Sequence, residues 1–228
     1  MTFTPARTLV ALAIAAAPFA ASAEGLSFNI GAVSLYKLYG VDQNTAPKDD
    51  RNTYPAIQGG VDYEFANGFY VGNWNSTGRF DNADVEIDLY AGYRGEIAGG
   101  LSYDIGYAHY FFPGQSDWNS GDLSLGLNHG PFGLKVIRGM TSDVNRGNIR
   151  YAFSYEHSLT DALGLTLIYA TRDIADANGG GGFDDYAVRL TYDLGNDLSV
   201  SGSISGATGK STDPARKNRL VLGVSKSF

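Results

Sequence analysis

Cysteine is absent from this 228-residue sequence, and methionine and tryptophan occur only twice each. Without cysteine there is no disulfide to staple an exported chain and no thiolate to offer a zinc ion. His109, His129 and His157 are the only histidines, and none has a neighbour at metal-ligand spacing. No metal and no cofactor are expected. Basic charge is also in short supply: 17 Lys and Arg stand against 24 Asp and Glu, for a net charge of -7. No basic stripe with interleaved aromatics appears, so nucleic acid is not the expected partner. Past the first 23 residues no apolar run approaches 18 residues, the length of a membrane-spanning helix.

Residues 1–23, "MTFTPARTLVALAIAAAPFAASA", have the form of a signal peptide: Arg7, an apolar run from Leu9 to Ala17, and the small-x-small site Ala21-Ser22-Ala23. The exported chain is then one domain, residues 24–228. With Arg7 removed it holds 16 basic against 24 acidic residues, a net charge of −8. The full sequence is rich in Gly (30), Tyr (15) and Phe (12).

Apolar and polar residues alternate with period 2 through most of this domain, and no segment shows a helical period. Twelve strands are predicted, near 26–35, 54–65, 68–76, 84–95, 100–111, 119–128, 132–139, 147–157, 163–172, 183–193, 197–205 and 217–228. In "DVEIDLYAGYR", Val85, Ile87, Leu89, Ala91 and Tyr93 share one face; Asp84, Glu86, Asp88, Gly92 and Arg94 share the other. Predicted strands of about 9–12 residues exceed the soluble mean of about 5–6 and match the 9–11 that a tilted strand needs to cross a bilayer. The connections sort by parity. Those after even strands are short ("ANG", "IAGG", "GP", "SLTDA", "GND"), and those after odd strands are usually longer. A soluble sandwich has no reason for such sorting. Bacterial membrane barrels do, with short periplasmic turns and longer outer loops. The fold class expected is all-β: a transmembrane antiparallel up-and-down β-barrel of about 12 strands in the bacterial outer membrane, its outer face against lipid. The last predicted strand closes the barrel on the first.

The runs "YPAIQGGVDYEFANGFYVGNWNS" (54–76) and "EIDLYAGYRGEIAGGLSYDIGYAHYFFPG" (86–114) resemble the TorF-type porin family of proteobacteria, long described as conserved hypothetical proteins. The resemblance implies an outer-membrane barrel and solute passage, and brings no catalytic residues. One departure lies upstream, where Tyr39-Gly40 stands in place of an expected Arg-Gly pair. The terminal Phe228 resembles the signal read by the barrel-insertion machinery, a second expected partner beside lipid.

Other motifs carry little. Gly209-Lys210-Ser211 resembles the end of a phosphate-binding loop, but Ile204 occupies the place of its first glycine and Asp213-Pro214 follows instead of a helix. A barrel hydrolase would need a nucleophile, a base and an orienting group brought together. His129 and His157-Ser158 fall at short turns and His109 near an outer strand end, so no enzyme is expected.

Charge order is more informative. Inward acids fall early, at Asp62, Glu64, Glu86, Asp88, Asp104 and Asp122; inward bases fall late, at Lys135, Arg150, Arg172, Arg189 and Arg219. Consecutive strands are neighbours around a barrel, so an acidic wall should face a basic one, with Arg94 and Glu156 as exceptions near the periplasmic end. Glu86 and Asp88 should lie across from Arg150 and Arg189. The candidate pore-lining residues are Glu86, Asp88, Asp104, Asp122, Lys135, Arg150, Arg172, Arg189 and Arg219. Two arrangements fit. The walls flank a narrow aqueous constriction that orders small polar or charged solutes, an acidic sugar among them. Or they meet in salt bridges, leaving a plugged barrel that binds partners through its outer loops. The channel is the favoured expectation, since twelve strands lie between the filled eight-stranded and the open sixteen-stranded barrels.

Overall fold

A computed structural model describes residues 25–43, 53–142, 145–208 and 214–228. The leader expected at 1–23 and the Gly209-Lys210-Ser211 motif lie outside the described residues. The strands are β1 (Gly25–Val33), β2 (Lys37–Leu38), β3 (Val41–Asp42), β4 (Ala56–Glu64), β5 (Phe69–Phe80), β6 (Ala83–Glu96) and β7 (Leu101–Phe111). They continue as β8 (Ser120–His129), β9 (Phe132–Thr141), β10 (Ile149–Ser158), β11 (Leu163–Asp173), β12 (Gly182–Gly195), β13 (Leu198–Ala207) and β14 (Arg219–Ser227). All except β2 and β3 join one closed antiparallel barrel of twelve strands, each beside its neighbours in sequence. At the seam β14 meets β1, from Asn29 opposite Ser227 to Val33 opposite Gly223. Backbone bonds in both directions between Phe28 and Phe228 extend the seam to the last residue (2.9 and 3.2 Å).

Alternation decides which side of the wall each residue takes. On β6, Val85, Leu89 and Tyr93 face outward, while Glu86 and Asp88 are buried inside. On β10, Tyr151 and Phe153 face outward, and Arg150 and Ser154 are buried. The outer surface is thus a belt of Leu, Ile, Val, Phe and Tyr running round the whole barrel. Such a belt far exceeds the apolar patches that soluble proteins leave in water. A closed sheet is also the one β-structure able to satisfy its backbone in a bilayer. The fold is a transmembrane β-barrel.

Connections at one end are short: 65–68, 97–100, 130–131, 159–162 and 196–197. At the other end they run over 34–55, 112–119, 142–148, 174–181 and 208–218, with one exception at 81–82. There the sequence pattern predicts strands ending at 76 and resuming at 84. The structure instead carries β5 through a bulge between Thr77 and Phe80 and turns tightly at Asp81, whose φ is +60°. Packing explains the extension: Phe80 and Ala83 are buried in an apolar cluster with Val33, Leu35, Tyr36, Ala56, Trp74 and Val221.

Several strand glycines make room for inward tyrosines. Tyr70 donates to Asp104 Oδ1 (3.0 Å), and a Cβ on Gly106 would lie 2.6 Å from the Tyr70 hydroxyl. Gly106→Ala is expected to displace that hydroxyl and to destabilise the barrel by about 1–3 kcal/mol, the usual cost of overpacking. Adding Tyr70→Phe should recover part of the loss. The urea midpoint, followed as loss of the gel band that shifts on boiling, measures both effects.

Candidate functional site in the lumen

The chain leaves the wall after β1 and turns into the barrel. Ser34 is pinned to the seam: its N–H donates to the Leu222 carbonyl (2.8 Å) and its hydroxyl accepts from the Leu222 N–H (2.9 Å). Leu35 and Tyr36 then become buried, with the Tyr36 ring edge-on to Trp74 (5.7 Å) and Phe80 (6.5 Å). Residues Lys37–Asp42 form a small hairpin, β2–β3, inside the lumen. Its turn needs positive φ at both central residues, and Tyr39 (+51°) and Gly40 (+73°) supply it. Gly40 meets a second constraint, because a Cβ there would come 2.3 Å from the Gly206 carbonyl oxygen.

Asp42 fastens the hairpin by accepting from Lys37 Nζ through Oδ1 (2.6 Å) and from Arg219 Nε through Oδ2 (3.2 Å). Lys37 also donates to the carbonyls of Lys217 (2.9 Å) and Ala215 (3.4 Å). Burial lowers the pKa of the Lys37 ammonium, with Asp42 opposing the shift. At the tip, the Arg150 guanidinium lies 4.2 Å from the Tyr39 ring centroid and that of Arg172 lies 6.0 Å away. Burial, with Asp122 adding to it, pushes the Tyr39 phenol up to about 12.

The two charged walls exist, but they do not meet as expected. Glu86 and Asp88 do not face Arg150 and Arg189 across open space; the hairpin stands between them. Glu86 is hydrogen-bonded to Tyr36 of the inserted segment, and Arg150 is held on its own side by Asp185 in a two-pronged pair (2.8 and 2.6 Å). Asp185 sits among the late basic residues, where charge order alone gave no reason to look for an acid. Asp122 and Arg172 are linked indirectly, since Asn145 donates to Asp122 and accepts from Arg172 (3.2 Å). Arg219 is taken up by Asp42. Asp104 pairs with Tyr70 and lies 3.8 Å from Arg94, which also reaches Glu64 (3.6 Å). Arg94 is therefore the acidic wall's own counter-ion. Tyrosine partners recur along that wall, at Asp62 (Tyr90), Asp104 (Tyr70), Glu86 (Tyr36) and Asp122 (Tyr110). The signal for them was the placement of Tyr70, Tyr90 and Tyr110 on the inward parity.

Cavities lie inside the barrel beside β10, one with a basic lining and one with an acidic lining. One, of about 80 Å³, lies beneath the hairpin and is lined by Lys135, Arg150, Arg189 and Ser154 among others. The second, of about 110 Å³, lies at the end of the short turns and includes Ser154, Glu156 and Glu96. Ser154 of β10 lines both.

These features define the class: a twelve-stranded transmembrane barrel whose lumen is narrowed by a folded-in first loop. The chain belongs to the family described as "Bacterial protein of unknown function (Gcw_chp)", whose model matches residues 16–212. The TorF-type name read from the motif runs is not the name that model carries. Among curated proteins none matches the chain. Among solved structures the fold is similar to that described as "KdgM porin", with a TM-score of 0.60 and 13% identity over 89% of this chain and 99% of that one. A "KdgM porin in complex with disordered oligogalacturonate" is similar at a TM-score of 0.59, again with 13% identity and 89% and 99% coverage. At that identity the likeness shows the fold.

Arg150 and Asp185 test how far the lumen depends on its internal pairing. Asp185→Asn removes half of a buried ion pair and is expected to cost about 3–5 kcal/mol, because the guanidinium is left without its counter-ion. The double variant Arg150→Met, Asp185→Leu should recover most of that loss. Urea unfolding followed by tryptophan fluorescence reports both.

Proposed function

We propose that the protein is a porin-like channel of the bacterial outer membrane, through which small polar or charged solutes diffuse. The observation that carries this reading is the pair of cavities that share Ser154 of β10, lined by charged groups. Bases along the first cavity and the glutamates of the second order a passing ion or dipole, and the low-dielectric surroundings strengthen that effect. The nine charged residues of the sequence pattern divide in this role. Arg150, Arg172 and Arg219 are engaged by Asp185, Asn145 and Asp42. Glu86, Asp88, Asp104 and Asp122 lie on the far side of the hairpin or under tyrosines. Lys135 and Arg189 face the path most directly and are the residues proposed to set its selectivity. The acidic sugar named with a KdgM porin is one solute form that suits the basic cavity below the hairpin.

The inserted hairpin favours a second reading, a plugged barrel whose outer loops bind ligands. A planar bilayer separates the two. Discrete conductance steps are expected from the folded protein, and Lys135→Glu or Arg189→Glu should each move the reversal potential in a KCl gradient toward cation preference. Folded protein that never conducts would establish the plugged barrel instead.

A further inference from the structure

The cavity beneath the hairpin has a composition that a general diffusion path does not require. Lys135 on β9 and Arg189 on β12 both line it, and neither has a hydrogen-bond or ion-pair partner among the described residues. Acids are not lacking nearby. Asp185 lines the same cavity, but both its oxygens are occupied by Arg150. Glu156 acts on Arg189, and Asp104 and Asp122 on Lys135, only through space. Two cations are therefore held in a partly enclosed space with no bonded counter-ion, an arrangement that an entering anion would relieve. The rest of the lining adds apolar surface that neither a sugar nor an inorganic ion needs. Leu35, Leu38, Ile168 and Val221 form an apolar side, with the Tyr39 ring at the hairpin tip. The volume of about 80 Å³ holds only a few waters.

We propose that this cavity is a binding site for small amphipathic carboxylates: the carboxylate on Arg189, which lies in register with Val221 of the apolar side, with Lys135 adding positive charge from the same lining, and a short hydrocarbon or aromatic body against the apolar side. The inference deepens the channel reading and rests on it for the solute's route, while binding itself can be read without conduction. Isothermal titration of the folded barrel in neutral detergent, at pH 7, uses four probes: benzoate, butyrate, benzamide and glucuronate. Benzoate and butyrate are expected to bind. Benzamide, which keeps the ring and lacks the charge, and glucuronate, which keeps the charge and lacks the apolar body, should each bind at least tenfold more weakly than benzoate. Lys135→Gln with Arg189→Gln should weaken benzoate at least tenfold. Equal binding of benzamide or glucuronate, or no binding of benzoate, would overturn the proposal; these comparisons need the wild-type protein alone. Benzoate binding to a barrel that never conducts would remove the channel and leave the site, whereas conduction without benzoate binding would do the reverse.

Discussion

Closure of the sheet is the constraint on which everything else here depends. In a bilayer no water is at hand to bond a bare N–H or carbonyl, so a β-structure survives only when its last strand pairs with its first. That requirement sets the strand tilt, and so turns the chain's linear order into a circle. Alternation then has a fixed meaning: one parity goes to lipid and the other to the interior. The interior is narrow enough that inward side chains must deal with one another.

They do so locally more than across the lumen. Each wall supplies most of its own compensation: Asp185 holds Arg150 on the basic side, and Arg94 with several tyrosines serves the acidic side. This follows from geometry. Neighbouring strands lie about 4.8 Å apart, whereas a partner across the barrel is reached through the inserted hairpin. The inserted segment touches both walls, through Tyr36 on one side and Tyr39 on the other, and Asn145 makes a second link between Asp122 and Arg172.

The barrel was legible in the sequence because its determinants are periodic. Alternation over long strands and the sorting of connections by parity placed β4, β7, β10 and the β14–β1 seam to within a few residues. The hairpin was not legible. Lys37–Leu38 and Val41–Asp42 are too short to show a period, and Tyr39-Gly40 is a weak turn signal beside Asn-Gly. What holds the segment is tertiary: the Asp42 contacts and the fit of Gly40 under Gly206. The strand extension to Phe80 was missed for the same reason, since only the cluster around Tyr36 and Trp74 gives it cause. Charge order places acids early and bases late around the barrel, but it counts residues and carries no sign of the hairpin that folds between Glu86 and Arg150.

The fastening of the hairpin has a consequence for assembly. Lys37 bonds to the Lys217 carbonyl, 180 positions away, and Asp42 bonds to Arg219, 177 positions away. These partners come together only when the end of the chain has been brought round to its beginning. The hairpin therefore cannot be locked while the sheet is still growing, strand by strand, as an open ribbon. Until the seam forms, the hairpin lacks the partners that hold it in the lumen.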